Sequence, residues 1–365
     1  MNEQDEPCED SLDLMTAESN LDKSLEDSRI TSNQQMNLFQ LPDILDKNHS
    51  NLVDIYDALD KYSYGKVRRV SKISDASRVT VAKIKNRKIK ATIRAANMTD
   101  ANGNTYLIYP GEREERVEEA LRKLAVSGNG TFIDDSAGVI FTLYALQKEL
   151  KANGHHYKIP ELKEAILVNR RASLSVETMD GTAIVDSGFF IAAALVSRSE
   201  YLENSKSQCY VRFNPLVTES ILRMQFRRYN YSLSMKIKNS LARYMYRRMS
   251  LYYTQASSKD PYTPNLVSFL SQSPREISPR MSENIRAMNT ALTVLKKCCI
   301  VKDWADPVQI KKGRKIIDVK YKIHPHKNFV SQQRMASASL NEKKNLLTNT
   351  DAEDMQQEGS EIDFE

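Results

Sequence analysis

The chain has 365 residues, 53 Lys and Arg against 47 Asp and Glu, 41% hydrophobic residues and a mean hydropathy of −0.53. A length of this order accommodates about two domains plus tails. No apolar run approaches the roughly 20 residues of a spanning helix, and the first ten residues are acidic rather than signal-like, so a soluble, cytoplasmic protein with no membrane partner is expected.

Four cysteines (Cys8, Cys209, Cys298, Cys299) lack paired metal spacing, and the adjacency of the last two fits a reducing compartment. The net charge of +6 hides a segregation. Residues 1–60 hold 15 acids and 3 bases, residues 351–365 hold 7 acids and no base, and residues 61–350 hold 50 bases against 25 acids. A cationic middle between acidic ends points to nucleic acid.

Residues 1–65 form an acidic N-terminal region, and its polar start is expected to be disordered. Gln35, Leu38 and Phe39 punctuate a short stretch that is either a linear motif anchored by two large apolar side chains or the start of a local helix. Leu41 to Tyr62 has helical spacing at Ile44, Val53, Ile55 and Leu59 and predicts a small helical annex. Residues 66–88 are a basic linker or arm; Lys66 to Arg94 carries eleven cations against Asp75 and reads equally as a DNA-contacting arm or a solvated linker.

From residue 89 a compact domain begins. Ile89, Ala91 and Ile93 alternate, Asn102-Gly103 marks a turn, and Thr105 to Tyr109 is a strand. Glu112 to Val126 is a helix with Val117, Leu121 and Leu124 inward and Glu118–Arg122 and Glu119–Lys123 pairs outside. A short strand over Val139 to Phe141, helices over Thr142 to Ala152 and Lys158 to Arg171, and a hairpin around Asp180-Gly181 follow. Three helices and then a β-hairpin is the order of a winged helix, here spanning residues 89–207.

The order repeats over residues 208–330. Gln208 to Phe213 is a strand and Leu216 to Phe226 a helix. The stretch Ser220 to Lys259 carries nine cations and six tyrosines without one Asp or Glu. A single helix over Ser232 to Tyr253 places Lys236, Arg243 and Arg247 on a stripe beside its apolar side, as suits a helix with its other side on a polyanion. Asn265 to Ser271 is a short helix, and Ser278-Pro279 opens another that reaches about Cys298. A hairpin follows with its tip at Lys311-Lys312-Gly313-Arg314-Lys315, and residues 331–365 are read as a disordered acidic tail. The expected fold class is α+β, two tandem winged-helix domains flanked by disordered acidic tails.

Three blocks carry a family resemblance: the strand-turn-helix Tyr106–Leu124, the run Val139-Ile140-Phe141-Thr142-Leu143-Tyr144, and Arg227–Tyr253. Over Ile89 to Ile323 the chain resembles the plasmid replication initiators (Rep proteins) built from tandem winged helices, TrfA/RepA-like. The resemblance implies binding to iterons in double-stranded DNA at a plasmid origin, opening of adjacent AT-rich DNA, recruitment of the host replicative helicase, and inactive homodimers that bind as monomers. Gln35 to Phe39 resembles the peptide by which bacterial replication proteins dock on the sliding clamp.

On the helix opened by Ser278, Arg286, Asn289, Thr290, Thr293 and Lys297 share one side and Arg280 sits near its start. Arg suits guanine, Asn adenine and Thr a thymine methyl in the major groove, so this is the expected recognition helix; the plain alternative is an exposed polar face. Lys311, Lys312, Arg314 and Lys315 read as a wing on phosphates, with Lys236, Arg243 and Arg247 as further phosphate contacts. In the first domain Lys163, Arg170 and Arg171 offer a weaker contact diluted by Glu161 and Glu164.

No Gly-x4-Gly-Lys-Ser/Thr occurs, which speaks against a nucleotide-hydrolysing initiator. His324-Pro325-His326 is a His-x-His pair of the kind rolling-circle nickases place on a metal, but Pro interrupts the strand and no Tyr follows. His155-His156 and Asp134-Asp135 read as structural. The expectation is a non-catalytic DNA-binding protein without cofactor or metal. The alternatives are a metal-dependent nicking initiator or relaxase, and a winged-helix transcriptional repressor.

Overall fold

The computed structural model describes residues 48–342, apart from 65–67, 71, 85–86, 101, 181–183, 197–206 and 276. The readings placed on residues 1–47 and 343–365, Gln35, Leu38 and Phe39 among them, lie outside the described residues.

The first element is strand β1 (His49–Val53), where the spacing suggested a helix. Asp57 Oδ2 accepts the Val53 N–H at 2.7 Å, and Ile55 turns through a positive φ of 59°. An Asp side chain that satisfies a backbone donor locally competes with helix formation.

The basic stretch read as a linker or arm is sheet. Strands β2 (Arg69–Val70), β3 (Ser77–Ile84), β4 (Arg87–Arg94), β5 (Ala96–Thr99) and β6 (Thr105–Ile108) follow one another. β3 and β4 pair without a slip from Ser77↔Arg94 to Ile84↔Arg87. Ala82, Ile84, Ile89, Ala91 and Ile93 share the buried face, and burying that period-two set fixes the register. The β5–β6 turn is held by Asp100, whose Oδ1 accepts the Asn102 and Asn104 N–H groups, both at 2.9 Å.

Next come α1 (Glu112–Leu124), β7 (Gly130–Ile133), β8 (Ser136–Phe141), α2 (Leu143–Ala152), α3 (Ile159–Arg171), β9 (Ser173–Thr178), β10 (Ile184–Gly188) and β11 (Phe190–Ala194). Three helices followed by a hairpin match the expected module. The sequence did not foretell that β9–β10 continues into the earlier hairpin as a four-stranded sheet, β10-β9-β4-β3. At Gly188 the chain leaves that sheet for a second one; a Cβ there would lie 2.5 Å from the Phe190 carbonyl oxygen, so glycine is required. The second sheet has the order β11-β12-β8-β7. Its strand β12 (Cys209–Phe213), placed in the second domain by a boundary at residue 208, lies between β11 and β8 of the first.

The remaining elements are α4 (Pro215–Leu222), β13 (Phe226–Asn230), α5 (Tyr231–Lys236), α6 (Ser240–Tyr252), α7 (Leu266–Ser271), α8 (Met281–Lys297), β14 (Val301–Trp304), β15 (Val308–Lys312), β16 (Lys315–Lys320), β17 (Ile323–Pro325) and a helix α9 over 327–342. Four expectations are corrected here. The helix over Leu216 to Phe226 stops at Leu222, and Phe226 begins a strand paired with β1. The helix over Ser232 to Tyr253 is two helices, because the Asn239 side chain caps the second by accepting the Ala242 N–H at 2.8 Å. Helix α8 is capped at Arg280 and not at Ser278; Ser278 is tied to Asn284 by two hydrogen bonds of 3.0 and 2.8 Å. Residues 331–342 are helix and not tail, with Phe329 buried against Tyr246 and Tyr253.

The architecture is α+β. The second module runs α6, α7, α8, then β14 paired with β17 around the hairpin β15–β16, again the order of a winged helix. One contiguous apolar cluster runs through both modules, from Leu52 to Phe329.

Candidate nucleic-acid interface

Helix α8 buries Asn284, Met288, Ala291, Leu292 and Leu295, and this apolar stripe fixes which side faces away. Arg286, Thr290, Thr293 and Lys297 are exposed on that far side, and Arg280 at the cap is exposed with Glu283 at 3.6 Å. Thr290 and Thr293 donate their hydroxyls to the carbonyls of Arg286 and Asn289, both at 2.8 Å. Their hydroxyl protons are thereby committed to the helix, leaving lone pairs and methyl groups for a neighbour.

Asn289 differs from the rest. It is half-buried, and its Oδ1 accepts the hydroxyl of the fully buried Tyr321 at 3.1 Å. Burial pushes that Tyr321 hydroxyl up to about 12, so it stays a protonated donor. Asn289 is first of all the partner of a buried phenol.

The hairpin β15–β16 packs its second strand on α8. Lys311, Lys312, Arg314 and Lys315 surround a tip at which Gly313 takes φ +61°. All four cations are exposed, and none pairs with a carboxylate among the described residues. Asp318, the hairpin's acid, is turned inward; its Oδ1 accepts the N–H groups of Val267 (2.9 Å) and Val319 (2.7 Å). Lys236 is exposed at the end of α5.

Arg243 and Arg247 are not surface cations. They are 1% and 7% exposed and run from α6 into the acidic stripe of α1. Arg247 Nη1 lies 2.7 Å from Glu115 Oε1 and 2.5 Å from Glu119 Oε1, and its Nη2 is 2.9 Å from Asp57 Oδ1. Arg243 reaches Glu115, the Tyr64 hydroxyl (2.9 Å) and Glu112 (3.4 Å). Burial by itself would lower the Arg247 pKa, but Glu119, Asp57 and Glu115 outweigh it and raise it well above the usual value. The expected phosphate contact by these two residues is therefore overturned: no backbone phosphate reaches a guanidinium enclosed by three carboxylates. The pairs expected outside α1 are inside as well. Arg122 binds Asp57 at 2.7 Å, and Lys123 donates to the His49 carbonyl at 2.8 Å. The signal was present in the sequence as two matching stripes, Glu112-Glu115-Glu119 and Arg243-Arg247, each at helical spacing.

In the first module α3 is sheathed by β5 and β11. Lys163 donates to the Val196 carbonyl, and Glu164 takes Arg113 (2.9 Å) and the Tyr106 hydroxyl (3.3 Å). Arg170 and Arg171 are exposed at its end, with Arg171 Nη1 3.5 Å from the Asn97 carbonyl. Lys163 is tied down, whereas the two arginines are open.

The other candidates are structural. His326 Nδ1 accepts the Asn328 N–H at 3.2 Å, and His155 Nε2 is 2.9 Å from the Met235 carbonyl. Asp134 and Asp135 both take positive φ in the β7–β8 turn, and Asp134 binds Arg212 at 2.7 Å. Among the described residues no group of three or more His, Cys, Asp or Glu could hold a metal ion, and no helix is long and apolar enough to cross a membrane.

No family model and no curated protein matches the sequence. Among solved structures, domains 2 and 3 of RctB share 11% identity at a TM-score of 0.45, over 77% of this chain and 99% of that one. A selenomethionine structure of the same domains gives 11% and 0.45 over 74% and 96%. The Pi initiator protein in complex with iteron DNA shares 14% identity at 0.40, over 59% of this chain and 91% of that one. Likeness at this level fixes neither a fold nor a function by itself.

Proposed function

We propose that the chain is a plasmid replication initiator that binds double-stranded iteron repeats at an origin, opens the adjacent AT-rich DNA, and recruits the host helicase and sliding clamp. The observation that carries this reading is a hairpin that packs its second strand on a helix whose outward side holds Arg286, Thr290, Thr293 and Lys297, and whose tip carries four exposed cations with no carboxylate partner among the described residues. A helix of this kind suits the major groove, and a cationic hairpin beside it suits the flanking phosphates or minor groove. Lys236 and Arg280 extend the contact along the backbone, and Arg170 and Arg171 give the first module a contact of its own. A homodimer is the stored form in this reading, through β3, which ends its sheet and exposes Val79 and Val81. The protein acts without a cofactor and without catalysis.

Footprinting on the origin of the replicon that encodes the chain, together with permanganate probing for unpaired thymines, tests the proposal. Protection of repeated sites with permanganate-reactive thymines beside them is expected. Protection without strand opening would leave a winged-helix repressor, and metal-dependent nicking of the supercoiled origin would leave a nickase.

A further inference from the structure

Helices α1 and α6 belong to different modules and meet through long charged side chains. Between α5 and α6 the backbone leaves the helix for three residues, Ile237 to Asn239. This is where the second module is joined to the chain before it. Across the break, Arg243 and Arg247 reach back into the first module, to Glu112, Glu115 and Glu119 on α1 and to Asp57 after β1. Asp57 is in turn held by Arg122 (2.7 Å) and Lys61 (3.3 Å), so the pins end in a network anchored in the first module. Forked guanidinium–carboxylate contacts specify direction as well as distance. A buried ion pair contributes little net stability over an apolar replacement, and in some proteins its role is to select one arrangement.

We infer that Arg243 and Arg247 are positioning residues that lock the second module's α6 onto α1, and so set a fixed offset along the duplex between the bases read by α8 and the phosphates met by the first module. This rests on the DNA-binding reading above, although the lock itself does not. One apolar cluster already holds the two modules together, but apolar contact is non-directional, so the ion pairs are what fix the angle between them. Arg170 and Arg171 carry the first module's share, since the remainder of α3 is sheathed.

The test uses the full chain and a duplex selected from a random pool by the wild-type protein. The variant is Arg247→Met with Glu119→Gln, which removes one charge of each sign and leaves Asp57 to Arg122 and Lys61. Two readouts are taken: the distance distribution between bio-orthogonal spin labels at the exposed Lys148 and Lys302, and the hydroxyl-radical footprint. For the wild type, one narrow distance and two protected zones at constant offset are expected. For the variant, a broadened distance and loss of the first module's zone are expected, with the α8 zone retained. A folded variant with the same narrow distance and the same offset would overturn the inference. Should that variant not fold, Arg243→Lys keeps the charge but not the fork; broadened distances then support the lock, and unchanged distances overturn it. A wild type that protects no DNA, with distances that still broaden in the variants, would sink the DNA-binding reading and leave the lock standing.

Discussion

Arg247 and Glu115 stand 2.7 Å apart across the junction of the two modules, and neither side chain is more than 9% exposed. The most basic stretch of the chain thus turns two of its arginines inward. Removing one partner from such a pair leaves the other charge buried and uncompensated. Arg247→Ala is expected to lower stability by about 3–5 kcal/mol, whereas Arg247→Met with Glu119→Gln, which leaves Asp57 to Arg122 and Lys61 and Glu115 to Arg243, costs less. Denaturant titration of the two proteins measures the difference, and equal losses would contradict the assignment.

Asp60 sits near the same junction. Burial pushes its carboxyl up to about 7, an effect that Arg78 at 3.7 Å only partly offsets and Glu115 adds to. A carboxyl raised in the folded state binds its proton more tightly there than when unfolded. Its stabilisation is therefore fully present below the unfolded pKa and is lost as pH rises toward 7. Over that window the loss is on the order of 4 kcal/mol. Asp60→Asn is expected to flatten the fall. His155, held below its usual value by burial, then by Arg116 and Arg243, slopes the other way just below its own range, so the comparison is between wild type and Asp60→Asn at each pH. Parallel curves would exclude Asp60 as the source.

The hairpin tip predicts a salt effect. Each of Lys311, Lys312, Arg314 and Lys315, if it neutralises one phosphate, contributes roughly 0.9 to the slope of log affinity against log salt. Single Ala variants are expected to weaken binding to all sequences alike and to shallow the slope by about that amount. A slope that does not change would remove the tip from the interface.

Arg286 and Asn289 separate two roles on one helix. Arg286→Ala is expected to cost about 1–3 kcal/mol at one base pair, measured by binding to a panel of single substitutions in the site. Asn289→Ala strands the buried Tyr321 hydroxyl and is expected to cost about 1–3 kcal/mol of folding stability. Tyr321→Phe with Asn289→Ala recovers part of that loss if the hydrogen bond is its source.

Much of the architecture was legible without coordinates. Helix α8 was fixed by Met281, Ile285, Met288, Leu292 and Leu295, and α2 and α3 by apolar spacing with a Gly stop and a Pro start. Residues 66–88 were missed because nine cations among strand formers look solvated until the pairing with β4 and β9 builds a sheet with one buried face. The α5–α6 break was missed because it turns on one Asn side chain outcompeting an otherwise continuous apolar stripe.

Local periodicity, turn residues and the separation of charge along the chain were enough to set the order of two helix–helix–hairpin modules and the cationic character of the middle. Which of those cations face solvent was decided only by the fold. A charge's worth depends on what stands opposite it, and Glu115, Glu119 and Asp57 reach Arg247 from residues more than a hundred positions away.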